Sequence, residues 1–549
     1  MKRLAIVLIL VLTWHPMAVA QPTVGLPIGF VVAEGADFSS LREAGGTSVK
    51  LLADWSALEP ERGQFAWKPL DDAIGTATRA GLRVVVVIAY TPKWASPAEG
   101  PDLTIPEIYR HEPTRRISDW ERFVSQAASH YKGTVRDWQV WTTLSLPLYR
   151  GTLKEYLGLL RAARAQTKAV DPTSRIVLAT AYGVDLGSIR QVMQEAPAAF
   201  DIISFAPRGL TPEEVLRPLG VMRERVLAKQ RKDLWLEWDL LSGGLRPTWP
   251  GQVLKVMAIS RAMGVEQIFW LGEAAADTGV FRVFATRIGI QPFVGYLVSQ
   301  QALVLLFGET KTAAVTWSTA GEVAVPLEAE NAVVFTPTGA TRQATSEGGK
   351  VTVRVSTDPL IITGIRATVV AQGRATLQSQ GQPLPPTRVD FSQATEVSTR
   401  LAAQNVEQGL YNMRYRTRQN GALETVQVGG VEAVRTNAAK EIVFVYFHVD
   451  ESFLYYIDGR ATVEIAVEVW GARTPQQLGF NILYDSTTGY RFTPWQWVDA
   501  KDGWVTYTMR LTDASFAGTW GWDFAINAGG NRMEDLTVRS VTVRKLPAP

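Results

Sequence analysis

Between about residues 25 and 290, short apolar runs alternate with stretches whose apolar positions recur at helical spacing. Continuous apolar runs of this length are typical of buried parallel strands, which are covered on both faces. One helical stretch carries apolar residues at positions 153, 156, 157, 160 and 163 and ends before Asp171-Pro172, where a helix is expected to stop. The predicted strands are Ile28–Ala33, Val49–Ala53, Leu82–Tyr90, Trp138–Thr142, Arg175–Thr180, Phe200–Phe205, Leu234–Trp238 and Gln267–Leu271.

Eight apolar strands with helical crossovers over roughly 250 residues predict an α/β fold, a (β/α)8 TIM barrel, for residues 21–298. A doubly wound open sheet is the alternative. It is disfavoured because no glycine-rich phosphate loop follows the first strand.

Near residue 300 the pattern changes to short alternating runs separated by turn residues, which predicts a small accessory β-sandwich over residues 299–368. Residues 369–388 are rich in Gln, Gly and Pro and are predicted to be a linker. Residues 389–549 are predicted to form a C-terminal β-sandwich or jelly-roll-like domain. Its clearest strand is Ala461–Trp470, with valine and isoleucine on one face and Glu464 and Glu468 on the other.

A chain of 549 residues is expected to have more than one hydrophobic core. The 56 basic and 53 acidic residues nearly balance, so nothing indicates the concentrated basic face of a nucleic-acid-binding protein. Cysteine is absent, which excludes disulfides, thiol catalysis and cysteine-ligated zinc. The four histidines are scattered, and the sequence predicts no metal site and no cofactor.

The first twenty residues are predicted to be a secretory signal peptide. Lys2 and Arg3 precede an apolar run from Leu4 to Trp14, and Ala18-Val19-Ala20 forms a small-residue cleavage site. An uncleaved anchor is the alternative. No later stretch has the length of a membrane span, so we expect a secreted or extracytoplasmic protein, in the periplasm or on the cell surface.

Several dispersed motifs resemble one enzyme family. The segment WSALEPERGQFAWKPLD (residues 55–71), the loop YTPKWA (90–95), the segment YKGTVRDWQVW (131–141) and DPLIITG (358–364) occur in the order seen in clan A glycoside hydrolases, especially family 39. The resemblance spans roughly residues 25–366. It implies a barrel with an accessory β-sandwich that acts on a polysaccharide or oligosaccharide.

Glycoside cleavage requires two carboxyl groups, and a barrel places them at the C-terminal ends of its strands. Glu237 lies in the apolar run LWLEW, where a carboxylate is costly unless it is paired. The resemblance implies that Glu237 occupies the nucleophile position. The alternative is a structural carboxylate tied to a Lys or Arg across the barrel mouth.

The second carboxylate is missing from its expected place. The resemblance puts Thr142 at the position of an Asn and Thr143 at the acid/base position, and a hydroxyl does not deliver a proton near neutral pH as a carboxylic acid does. Ala206 and Lys50 also depart from the pattern, which has His and Arg there. The candidates for a relocated acid are Glu34, Asp54 and Glu273.

Aromatic residues supply the expected sugar-binding surfaces. The resemblance implies that Trp270 forms the floor of the sugar pocket, in a cleft lined by Trp94 and Trp141. In the C-terminal domain, Trp495 and Trp520 are predicted to bind sugar rings, and the alternative is that they fill the sandwich core.

The leading hypothesis is an exported polysaccharide-binding or polysaccharide-processing protein whose barrel keeps the nucleophile Glu237 and lacks the acid/base Glu. One alternative is an active retaining glycosidase on β-linked polysaccharide with a relocated acid. The other is a structural cell-surface protein that uses the barrel and sandwiches as scaffold.

Overall fold

The structure is a computed structural model. It describes residues 26–32, 35–145, 147–207, 210–228, 230–239, 249–271, 279–299, 301–319, 321–383, 389–413, 423–457, 459–471, 477–531 and 534–546. The predicted signal peptide, Glu34 and Glu273 lie outside these residues.

Eight parallel strands close into a barrel in sequence order, as the apolar runs predict. The strands are β1 (Ile28–Val31), β2 (Gly46–Asp54), β3 (Arg83–Ala89), β4 (Asp137–Val140), β5 (Arg175–Tyr182), β6 (Ile202–Ala206), β7 (Asp233–Asp239) and β8 (Gln267–Leu271). The helices around them are α1 (Phe38–Glu43), α2 (Trp55–Leu58), α3 (Lys68–Arg79), α4 (Pro106–Tyr109), α5 (Ile117–His130), α6 (Leu153–Val170), α7 (Leu186–Glu195), α8 (Leu216–Val221), α9 (Trp249–Ala262) and α10 (Gly279–Phe284). The predicted barrel is therefore confirmed.

Alternation along the strands decides which side chains fill the barrel interior. An apolar interior cluster contains Val85, Val177, Ile202, Trp235 and Phe269. Because successive residues of a strand point to opposite faces, residue 237 on β7 shares the interior with Trp235. The barrel pairing confirms this placement, since residue 237 lies opposite Phe269.

The barrel is followed by antiparallel sheets. The first unit has a six-stranded sheet and a two-stranded sheet, β12 with β15. Its strands are β9 (Phe293–Ser299), β10 (Ala302–Phe307), β11 (Ala313–Ser318), β12 (Val323–Glu328), β13 (Val333–Phe335), β14 (Thr341–Gln343), β15 (Lys350–Val355) and β16 (Leu360–Thr363).

The segment expected to be a linker is largely helical. Helix α11 (Ala367–Gln380) buries Val369 and Val370 against this unit. It packs on β9, where a Cβ added to Gly295 would lie 2.3 Å from the carbonyl carbon of Gly373. The glycine that suggested a linker is thus a contact point between helix and sheet.

The C-terminal unit has two antiparallel sheets, as expected for a sandwich. The valines and isoleucine at 463, 465, 467 and 469 are fully buried, which confirms the predicted inward face. The first sheet contains β17 (Glu396–Arg400), β18 (Val406–Gln408), β20 (Glu424–Val428), β21 (Val431–Arg435), β23 (Thr462–Gly471), β27 (Gly503–Leu511) and β29 (Thr537–Leu546). The second contains β19 (Leu410–Met413), β22 (Phe444–Val449), β24 (Gly479–Ser486), β25 (Gly489–Phe492), β26 (Gln496–Trp497) and β28 (Phe524–Asn527).

Across the described ranges, none of the helices combines the length and apolar character needed to cross a membrane.

Candidate active site in the barrel

Glu237 lies inside the barrel and is paired with a lysine from the opposite wall. The ammonium group of Lys50 forms an ion pair with Glu237 Oε1, and the Ser204 hydroxyl donates to the same oxygen over 2.8 Å. Both partners are buried, with Lys50 only 1% and Glu237 8% exposed. In the described part of the chain, Glu237 Oε2 accepts no protein hydrogen bond.

The lysine is held by a complete set of acceptors. Besides Glu237, its Nζ donates to Gln139 Oε1 over 2.6 Å and to Ser204 Oγ over 3.0 Å. Burial lowers the pKa of Lys50, and the Glu237 carboxylate opposes that shift. The ammonium also lies 4.4 Å from the centre of the Phe269 ring.

Thr143 directs its hydroxyl towards the backbone. It is buried, its Oγ1 donates to the carbonyl of Thr180 over 3.0 Å, and it accepts from the Ser145 amide over 3.2 Å. Thr142 is half-buried, and its hydroxyl lies 3.2 Å from the Tyr90 hydroxyl. Neither threonine carries an acidic proton, so these positions supply no general acid.

Of the three candidates for a relocated acid, only Asp54 lies in the part of the chain that the structure describes. It forms the N-cap of α2, accepts from the amide and hydroxyl of Ser56, and is ion-paired with Arg110. These interactions account for its position without a catalytic role.

The strand ends next to the site have an unusual backbone. Tyr90 follows β3 and Trp141 follows β4, and their φ angles of 70° and 68° are in the left-handed region. Their rings meet edge to face at 5.9 Å. Such backbone costs about 1–3 kcal/mol per residue and occurs preferentially at functional sites.

The tryptophans expected to line a sugar cleft are differently placed. Trp270 is fully buried and packs against Phe281 on α10, because alternation sends Phe269 into the barrel and Trp270 outwards. The expectation that Trp270 forms a pocket floor does not hold in this structure. Trp141 is also fully buried and donates to the Leu148 carbonyl.

Trp94 packs against the segment formed by residues 55–71. It is half-buried, donates to the Glu59 carbonyl over 2.9 Å and meets Trp55 edge to face. The Glu59 carboxylate itself is buried, where it accepts from Trp55 Nε1 and pairs with Arg122. This motif therefore holds the loop after β2 together.

The two tryptophans of the C-terminal unit that were predicted to bind sugar, Trp495 and Trp520, also offer little free ring surface. Trp520 is 8% exposed, lies beneath Tyr490 at a ring distance of 3.4 Å, and would meet a Cβ on Gly183 of the barrel. Trp495 is half-buried against glycine backbone.

Comparisons with known proteins agree with the barrel assignment. A glycoside hydrolase family 42 model, described as Beta-galactosidase, matches residues 33–132. A family 39 glycoside hydrolase from Bacteroides cellulosilyticus WH2 has a TM-score of 0.52 and 18% identity, over 63% of this chain and 81% of that one. A GH30 endoxylanase from Clostridium papyrosolvens C71 has a TM-score of 0.44 and 12% identity, over 62% and 96% of the two chains. No curated protein sequence matches the chain.

The expected resemblance to clan A glycoside hydrolases is thus confirmed for the fold. The ion pair with a Lys or Arg across the barrel, expected in the structural alternative for Glu237, is present, and its lysine is Lys50. The sequence did not identify which cation this is, although a lysine within an apolar strand carries the same signal as the glutamate.

Proposed function

We propose that this chain is an exported polysaccharide-binding or polysaccharide-processing protein whose barrel keeps the nucleophile Glu237 and has lost its acid/base carboxylate. The observation that carries the proposal is the Thr143 hydroxyl, which bonds to the backbone where the acid/base carboxyl is expected, while Glu237 lies on the interior face of the barrel. Retaining cleavage requires a second carboxyl group about 5–5.5 Å from the first. At the end of β4, where the resemblance places that group, Thr143 carries a hydroxyl instead of a carboxyl group.

The same geometry suits recognition of hydroxyl groups. Glu237 Oε1 is occupied by protein donors, whereas Oε2 accepts no hydrogen bond from the described residues and can accept from a sugar hydroxyl that enters the barrel mouth. These side chains, and not the fold, support the proposed binding of sugar hydroxyls.

Activity assays test the loss of the acid. We expect no turnover of cellohexaose or xylohexaose, and slow turnover of aryl glycosides with good leaving groups that Glu237→Gln abolishes. Losing general acid assistance typically removes about 10²–10⁴ of the rate, and most for poor leaving groups. Rapid cleavage of a natural polysaccharide that Glu237→Gln abolishes would support the active-glycosidase alternative.

Restoring a carboxyl group is the complementary test. Thr143→Glu should raise turnover of the unactivated oligosaccharides, because it returns an acid to the end of β4. Thr143→Gln introduces a side chain of nearly the same size as Glu but without an acidic proton. It therefore controls for the loss of the Thr143–Thr180 contact. Equal rates for the two variants would show that position 143 does not reach the leaving group.

Export is proposed from residues 1–20 and is tested by mass spectrometry of the native protein, which should give an N-terminus at Gln21.

A further inference from the structure

One sheet face in the C-terminal unit is only partly covered, because Trp520 and Trp522 pack on Tyr446 and exposed rings lie beyond them at its edge. In the antiparallel sheet of β22, β24, β25 and β28, residues directly opposite each other lie on the same face. Phe480, Ile482 and Tyr484 of β24 point into the sandwich core. Asn481 and Leu483 therefore point to the other side. We call this side the open face.

Two exposed rings lie at the edge of the open face. Phe492 is opposite Leu483 and Trp497 is opposite Gly479, and the two rings are 56% and 50% exposed. Gly479 and Leu483 are four positions apart on β24, which at about 3.4 Å per residue places the backbone positions of the two rings roughly 14 Å apart. That spacing exceeds the width of one sugar ring and suits an oligosaccharide.

Trp495 fixes the orientation of Trp497. The two rings meet edge to face at 6.0 Å. A Cβ on Gly479 would lie 2.2 Å from Trp495 Nε1, and one on Gly530 would lie 2.7 Å from its ring. Trp495 is thus seated on glycine backbone as a support, and Trp497 presents the free surface.

A polar donor lies beside the rings. Asn527 Nδ2 donates to Asn481 Oδ1 over 2.9 Å, and Asn527 Oδ1 accepts from the Gly529 amide over 2.9 Å. These bonds orient the half-buried Asn481 so that its Nδ2 has no protein acceptor within the described residues.

Around Asn481, Phe492 and Trp497 the described side chains of the open face are uncharged. The uncharged side chains on this side are Met413, Phe444, Tyr446, Asn481, Leu483, Tyr490, Phe492, Trp497, Ala525 and Asn527. The charged groups of the same sheet face are His448, Asp485 and Asp523. Asp485 is buried and accepts from the Thr519 hydroxyl over 2.9 Å, whereas His448 and Asp523 lie in the half that contacts Arg217 of the barrel. Within the described residues this part of the face is a neutral surface of rings and amides, which complements a neutral glycan and offers no counter-charge to a polyanion or a membrane.

We propose that the open face binds a neutral polysaccharide chain, with sugar rings stacked on Trp497 and Phe492 and a sugar hydroxyl accepting from Asn481 Nδ2. The chemical class of ligand rests on the proposed function, whereas the residues involved are independent of Glu237. Trp495 and Trp520, expected from the sequence to contact sugar, serve here as support and as barrel contact.

The test measures retention of the full chain on insoluble cellulose, xylan and mannan at low and high salt. We expect retention on at least one of them, unchanged by salt because no charge is involved. The double variant Trp497→Ala/Phe492→Ala should lower the affinity by on the order of tenfold or more, and Asn481→Asp should lower it by a smaller factor. Val406→Ala removes a residue that is 57% exposed on the other sheet, and it should bind as wild type does.

Unchanged retention of the double variant would overturn the proposal, and so would failure of the wild-type chain to bind any of the three polymers. A wild-type dimer in light scattering that the double variant converts to monomer would assign the face to a second copy of the chain and also overturn it. The Glu237→Gln variant distinguishes this site from the barrel, because it changes a barrel residue and none of the residues of the open face. If the barrel proves to be an active hydrolase, the proposed function fails while retention through the open face persists.

Discussion

At the scale of single residues, Lys50 and Glu237 satisfy each other inside the barrel. An ammonium group has three protons, and Lys50 donates to three acceptors, Glu237, Gln139 and Ser204. Burying two charges is costly, and the cost is recovered only when both remain paired. The pair therefore makes each partner depend on the other for its place in the fold.

Substituting Lys50→Met should destabilise the protein by about 3–5 kcal/mol, because it leaves Glu237 as an unpaired buried carboxylate. The double variant Lys50→Met/Glu237→Gln should lose less, since no charge is then left alone. Urea unfolding of wild type, both single variants and the double variant completes a mutant cycle. Additive losses would show that the two residues do not interact.

The sequence identifies Glu237 because a carboxylate in an apolar strand stands out, but it does not identify the partner. Lys50 lies 187 positions away, and only barrel closure brings the two together. The resemblance likewise predicts where Trp270 lies along β8, but it does not predict the direction of its side chain. That direction follows from strand alternation, which pairs Glu237 with Phe269 on the inner face.

At the scale of elements, the sequence predicts the helices and strands whose hydrophobic pattern follows directly from which of their faces are buried. All eight barrel strands are found because parallel strands covered on both sides are continuously apolar. Helix α11 was missed because its glycine and glutamines indicate a linker, whereas burial of Val369 and Val370 and contact with β9 stabilise it. Tertiary packing here overrides local composition.

The contact between α11 and β9 gives a prediction about Gly295. Its φ is 147°, and a Cβ there would lie 2.3 Å from the backbone of Gly373. Gly295→Ala should therefore cost about 1–3 kcal/mol from overpacking in addition to its backbone strain. Gly321→Ala is the control, because its φ of 72° carries strain with no atom within 4 Å. Similar melting temperatures for the two variants would contradict the packing role of Gly295.

At the scale of the whole molecule, a buried charge cluster joins the barrel to the C-terminal sandwich. Arg217 of α8 lies 3.1 Å from Glu451 and 3.6 Å from Asp523, and the Tyr455 hydroxyl donates to its carbonyl over 2.8 Å. His448 lies 3.4 Å from Glu451 and 3.1 Å from Asp523. Two cations thus alternate with two carboxylates across the junction.

The protonation of this cluster follows from its contacts. Burial lowers the pKa of His448, but Glu451 and the hydrogen bond with Asp523 outweigh burial and raise it to about 9. Burial would raise the pKa of Glu451 and of Asp523, and Arg217 and His448 instead hold each at about 2. A protonated His448 donates from Nδ1 to Asp523. Arg217 lies 3.0 Å from the same nitrogen, and because both groups are then donors this contact is not a hydrogen bond.

Stability should therefore fall in alkaline solution. Because the pKa of His448 is about 9 in the folded state and about 6.5 when unfolded, its stabilisation is complete below about pH 6.5 and is lost as the pH rises through about 9. The loss should amount to roughly 3–4 kcal/mol in the free energy of unfolding. Urea unfolding monitored across this range tests it, with His448→Gln as the control, because that variant keeps a donor and cannot titrate. The difference between the wild-type and variant curves cancels the contributions of Tyr411, which stacks on His448, and of the other shared groups. A difference that stays constant from neutral pH to above pH 9 would show that His448 is uncharged in the folded protein and that Arg217 alone balances the two carboxylates.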